Sequence, residues 1–231
     1  MAQIWKVRLP NGDVITPGDW TCAEPLYSTI EIGPQPFPLL TAFSYGQGGT
    51  VPGSVGPRQS TLVDTNLQGE GNRLPENEEL ICYNLGIEVF KVGPAASTTV
   101  FPDSDTPGVP LPDMLRLQRD IVVQFKIAAV KNYTSSPMSY WPAGTGSAYT
   151  ISGGRSVVSG AAANGEVNAN NGSSSVKGRR ELASQLTVAG GESMAVDVRS
   201  GPGVVQNLNL AAGSRMRLRI FLDGYRRRPV A

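Results

Sequence analysis

The chain has 231 residues, with 27 Gly, 18 Pro, 17% charged residues and a formal net charge of +1. That length suits one large domain with a sizeable core, while near-neutral charge argues against a dedicated nucleic-acid binder. Histidine is absent, which removes the Ser-His-Asp triad, the Cys-His pair, the imidazole base and every His-liganded metal centre.

High Gly and Pro with short alternating apolar runs predict an all-β chain. No apolar run approaches the roughly 20 residues of a membrane helix. The N-terminal Met1-Ala-Gln-Ile-Trp-Lys6 lacks the basic flank and apolar core of a signal peptide. Cys22 and Cys82 are too few for a disulfide framework and read as free buried thiols.

In chain order, residues 4–15 predict a small hairpin. Ile4, Lys6 and Arg8 alternate with Trp5, Val7 and Leu9, and Asn11-Gly12 is the signal of a type I′ turn. A strand follows over Leu26–Ile32, with Tyr27, Thr29 and Glu31 on one face, and Gly33-Pro34 ends it. Leu39 to Tyr45 reads as another short strand. The Gly/Pro loop 46–57 has no Gly-Lys-Ser/Thr to cradle a phosphate and reads as a solvent or inter-subunit loop.

Glu76, Glu78 and Glu79 form an acidic turn, read as solvated charge, ahead of a clear strand. There Ile81, Tyr83, Leu85, Ile87 and Val89 make the apolar face, opposite Cys82, Asn84, Gly86 and Glu88. Gly86 in mid-strand predicts a bulge or a close backbone approach. Residues 93–113 are a Pro-, Ser- and Asp-rich connection. Asp103 and Asp105 are spaced like oxygen ligands but lack the further ligands of a Ca²⁺ loop.

Met114–Arg119 starts a short helix that runs into a strand, where Ile121, Val123, Phe125 and Ile127 alternate with Val122, Gln124, Lys126 and Ala128. Tyr140 and Trp141 suit either a stacking platform for a sugar or base, or packing under their own loop. Residues 146–178 are low-complexity Gly, Ala, Ser and Asn, a composition that cannot bury a core by itself. Leu186 and Val188 before Gly190-Gly191, with Met194, Val196 and Val198 after it, predict a hairpin. Val204 to Leu210 is a further short strand.

In the last strand Met216, Leu218, Ile220 and Leu222 fall on one face and Arg215, Arg217 and Arg219 on the other. Such an arginine face meets acidic partners or phosphate, or is simply solvated. Asp223-Gly224 reads as a turn, after which Arg226, Arg227 and Arg228 run out as a basic tail.

These elements predict an antiparallel β-sandwich with long Gly/Pro-rich loops. Its expected core is Ile81, Tyr83, Leu85 and Ile87, then Val123, Phe125 and Ile127, Met194 and Val196, and Leu218, Ile220 and Leu222. The layout places Asp64-Thr-Asn-Leu67 and Leu74-Pro75 before the strand at 80–89, Pro142-Ala-Gly144 mid-chain, and Arg217-Leu-Arg-Ile-Phe-Leu-Asp-Gly-Tyr225 at the close. Over residues 60–230 it resembles viral single jelly-roll capsid proteins, especially those of icosahedral bacteriophages.

The resemblance implies a single jelly roll over residues 61–231, with residues 1–60 as an N-terminal arm or hairpin region. It implies a shell protein of the virion with no catalytic residues, cofactor or small-molecule substrate, whose partners are copies of itself and other virion proteins. Arg226, Arg227 and Arg228 are then subunit or nucleic-acid contacts. The acidic turn at Glu76–Glu79 of a neighbouring copy offers carboxylates, and packaged genome or an internal membrane offers phosphate. The competing class is a phage tail or spike domain, or a lectin-like carbohydrate-binding sandwich with Tyr140 and Trp141 at its ligand face.

Overall fold

The computed structural model describes residues 7–8, 12, 14–15, 20–21, 25–33, 37, 39–53, 58–92, 106–107, 109–128, 131–145, 148–152, 166–174, 178–200, 208 and 215–227. In chain order its main elements are β1 (Leu26–Ile32), β2 (Leu39–Ala42), β3 (Glu79–Val92), α1 (Leu111–Asp120), β4 (Ile121–Ile127), β5 (Lys131–Pro137), β6 (Arg180–Val188), β7 (Met194–Ser200) and β8 (Arg215–Arg227).

Two antiparallel sheets carry the fold. One runs β6-β3-β8-β1, with Trp20–Thr21 pairing the far end of β8 and Thr106–Pro107 meeting β3. The other runs β5-β4-β7-β2. The predicted all-β sandwich is therefore observed. Alternation explains why these segments are strands: along β4 buried and half-buried residues alternate without a break, and in β8 Met216, Leu218, Ile220 and Leu222 are fully buried. Inward residues of both sheets meet in one core, where Leu85, Ile87 and Leu218 join Val123, Phe125 and Val196. Helix α1 closes part of it with Met114 and Leu117.

Several expectations change. β8 does not turn at Asp223-Gly224 but runs straight through to Arg227, paired with β3 along its whole length. The register slips between Asp223, opposite Asn84, and Gly224, opposite Cys82, so that Tyr83 is an extra residue on β3. Glycine is needed there because a Cβ on Gly224 would lie 1.9 Å from the carbonyl oxygen of Ile81.

The bulge also reverses the phase of β3. Leu80 and Cys82 join the core before it and Leu85, Ile87 and Val89 after it, while Ile81 and Tyr83 fall outside the cluster. Tyr83 is half-buried, edge-on to Tyr225 with ring centroids 5.4 Å apart. Gly86, the expected bulge or close approach, is the latter: a Cβ there would come within 2.6 Å of Arg179 Cδ.

β6 and β7 do not form a hairpin. β6 pairs β3 in one sheet, while β7 pairs β4 and β2 in the other. Period-2 alternation fixes which side of a strand faces the core, and Leu186 and Val188 can meet that demand from the opposite sheet as well as from an adjacent strand. From the region expected to be an N-terminal arm, β1 joins the first sheet by pairing β8 from Met216 to Leu222. Pieces of the low-complexity stretch pair as strands, Ala148–Ser152 with Glu166–Asn170. The N-terminal hairpin is present as Val7–Arg8 against Val14–Ile15, with Gly12 at φ +94°. Cys22, Asp103, Asp105, Arg228 and, except for Leu208, the strand expected at 204–210 lie outside the described residues.

Candidate functional site

The polar sides of β1 and β8 lie next to each other on the outer face of the first sheet, with Arg217 directly opposite Glu31. Glu31 is only 2% exposed. Its carboxylate accepts hydrogen bonds from Arg215 Nη1 at 2.9 Å and Arg217 Nε at 3.1 Å, and Arg58 Nη2 reaches it at 2.9 Å. The acidic partner that the arginine face required is therefore supplied by the same chain.

Arg58 extends this cluster into the loop that follows. Its two Nη atoms donate to the two oxygens of Asp64 at 2.9 and 2.8 Å, a bidentate pair. Asp64 also accepts the Thr61 amide at 3.0 Å. Burial pushes the Asp64 carboxyl upward, but Arg58 and the Thr61 amide outweigh it and hold it below its ordinary 3.8. Farther along, Asn66 accepts the Tyr27 amide at 2.9 Å and donates to the Pro25 carbonyl at 2.8 Å. Residues 58–67 are thus strapped onto β1 and β8. The sequence carried half of this signal, because Glu31 lies on the polar side of one strand and the arginines on the polar side of another. It gave no sign that the two strands were neighbours, and Arg58 stood in a segment without periodicity.

Of the three terminal arginines, Arg226 turns inward and is fully buried, with Nε and Nη2 donating to Glu78 Oε2 at 2.8 and 2.5 Å. Arg227 faces outward and is exposed, as alternation along an extended strand requires. The structure therefore separates them: Arg226 belongs to the fold, and the acidic turn it was expected to meet on a neighbouring copy is its own. Glu78, read from the sequence as solvated, is 6% exposed.

A second buried pair was missed altogether. Arg179 Nη1 donates to both oxygens of Asp223 at 2.5 and 2.6 Å, its Nε donates to the Ala143 carbonyl at 3.1 Å, and its guanidinium lies 4.1 Å above the Phe221 ring. Burial pushes the Asp223 carboxyl up, with Arg179 opposing. Reading Asp223-Gly224 as a turn hid this pair. On the outer face of the other sheet, Asp197 gathers Lys126, Thr41 and Arg199 in the same manner. Among the described residues, these carboxylates hold cations and each has its guanidinium or ammonium in place. Cys82 is a free buried thiol whose pKa is pushed up by burial, which keeps it protonated and unreactive.

Tyr140 and Trp141 divide. Trp141 is 2% exposed and belongs to the core. Tyr140 stands at the surface, edge-on to Trp141 at 5.1 Å. One face of its ring is covered by the Arg180 guanidinium at 4.3 Å, and its hydroxyl accepts Arg180 Nη2 at 2.6 Å. Beside them an open cleft of about 190 Å³ runs between the edge strands β5 and β6, lined by Phe125, Tyr133, Tyr140, Trp141, Leu182 and Leu186, with Glu181 and Thr134 as its polar members.

No family model, curated protein or solved structure matches this chain.

Proposed function

We propose that the chain is a structural shell subunit of an icosahedral virus of the bacteriophage type, a single jelly roll that assembles with copies of itself. The observation that carries this reading is the strand order. Numbered along the chain, the sheets run 6-3-8-1 and 5-4-7-2, the interleaving that two Greek keys wound around one sandwich give. Eight main strands in two sheets among the described residues support a jelly-roll reading, an architecture that recurs in viral capsid proteins, lectins and cupins. A cupin-type His-bearing metal centre has no residues to build it, since the chain contains no histidine.

The lectin-like alternative depends on an aromatic platform. The indole of Trp141 is buried and one face of Tyr140 is occupied, which weakens support for it. Among the described residues, the buried carboxylates Glu31, Asp64, Glu78, Asp197 and Asp223 are bound to arginine or lysine, which favours a structural role. In this reading the sandwich is the brick, and residues on its outer faces and edges join it to its neighbours.

The test is the size of the purified protein. Sedimentation and negative-stain microscopy of the expressed chain should show closed particles or capsomers across a range of protein and salt concentrations. A monomer at all of them, or saturable binding to a glycan array, would overturn the proposal.

A further inference from the structure

We infer that Leu62-Val63, at the tip of the strapped loop, is a knob that seats in the aromatic cleft of a second copy of this chain. The inference deepens the shell-subunit reading and rests on it by naming a contact through which subunits join.

The knob is unusual for a surface turn. Leu62 and Val63 are each 61% exposed, the most exposed of the large hydrophobic residues described. Their backbone acceptors are already satisfied from below: the Tyr27 hydroxyl donates to the Leu62 carbonyl, and Arg219 Nη2 donates to the Val63 carbonyl at 3.0 Å. The turn itself is held by Asp64, through Thr61 and Arg58. What projects is therefore two aliphatic side chains on a fixed backbone, with neither carbonyl left to be desolvated on burial. Such preorganisation lowers the entropic and polar costs of association.

The cleft is complementary in chemistry and size. Tyr133 and Tyr140 are each 43% exposed at its mouth, Phe125 and Trp141 lie behind them, and its volume is about 190 Å³. An apolar cavity of about 150 Å³ accepts a benzene-sized guest, so an aliphatic side chain fits. Polar groups at the rims leave the apolar contact free: Arg58 beside the knob is already paired with Asp64 and Glu31, and at the cleft Arg180 is stacked on Tyr140 with Glu181 next to it.

Position decides that the occupant is another copy. The knob sits over Tyr27 of β1, at one edge of the first sheet, and the cleft opens beside β6, at the other edge. A knob and its socket on opposite edges of one molecule make a head-to-tail contact, which closes into rings when the rotation allows.

Two preparations test this, both carrying Cys22→Ser so that only buried Cys82 remains of the native thiols. One adds Leu62→Cys and the other Glu181→Cys. Mild oxidation of the mixture should give a disulfide-linked pair that is absent when either is oxidised alone, because a disulfide needs Cα atoms within about 7 Å. No pair in the mixture, or an equal yield from Leu62→Cys alone, overturns the inference. The double change Leu62→Asp with Val63→Asp should melt like the native chain and sediment as smaller species. If it forms native-sized particles, the knob is not the contact and the shell reading stands. Cross-linked pairs without any particle would instead overturn the shell reading and leave the knob contact in place.

Discussion

At Arg226 a guanidinium with no exposed surface is held against the carboxylate of Glu78. Removing one partner of such a pair leaves a buried charge uncompensated, at a cost of about 3–5 kcal/mol, whereas replacing both with apolar groups is often close to neutral. Arg226→Met should therefore lower the urea midpoint sharply, and adding Glu78→Leu should restore most of it. Asp64 gives a pH signature. Its folded pKa lies below the unfolded 3.8, so its stabilising effect is complete above the unfolded value and lost as pH falls through the folded one. Asp223 and Glu88 are raised by burial and act in the opposite sense, because the fold binds their protons more readily. Asp64's contribution to the urea midpoint should therefore be lost below about pH 4. Asp64→Asn, less stable at neutral pH, should lose less over the same interval; an unchanged acid slope would mean the Arg58 pair does not contribute.

The terminal strand tests the same physics at the scale of an element. Its pairing with β1 and β3 makes it central, and Ile220 is fully buried in the core. Ile220→Ala should destabilise by about 2–5 kcal/mol, read as a fall in melting temperature. Gly224→Ala should also destabilise, by about 1–3 kcal/mol or more, because the Ile81 carbonyl it would strike is backbone and cannot swing aside. A Gly224→Ala chain that melted like the native one would contradict the bulged register. The bulge explains why one reading of β3 was half right. A strict alternation from Ile81 to Val89 assumes two uninterrupted strands, and one extra residue at Tyr83 inverts the faces on its N-terminal side.

At the scale of the whole molecule, the basic end splits into a structural residue and a surface residue. Arg227→Ser with Arg228→Ser should leave melting unchanged, in contrast to Arg226→Met. Under the proposed shell role the double variant should assemble poorly at low and high salt alike if these arginines meet protein carboxylates. Normal empty particles that fail only to retain nucleic acid, with steep salt dependence, would place them against phosphate instead.

The sequence by itself determined the strands, because alternation is a local property of each segment. Leu26–Ile32, Ile121–Ile127 and the phase of Met216 to Leu222 could all be read without knowing what they packed against. It also determined that arginines at 215, 217 and 219 share a face, and that no histidine chemistry is available. Only the tertiary structure decided who meets whom. Arg58, Glu31 and Arg217 lie far apart in the chain, as do Arg179 and Asp223, and Glu78 and Arg226. Each pair depends on which strands lie side by side, and period-2 patterning says nothing about neighbours. The same ignorance of neighbours turned the crossing between β6 and β7 into a predicted hairpin and made Glu78 look solvated. A carboxylate's environment is set by the guanidinium folded against it, not by the residues on either side of it.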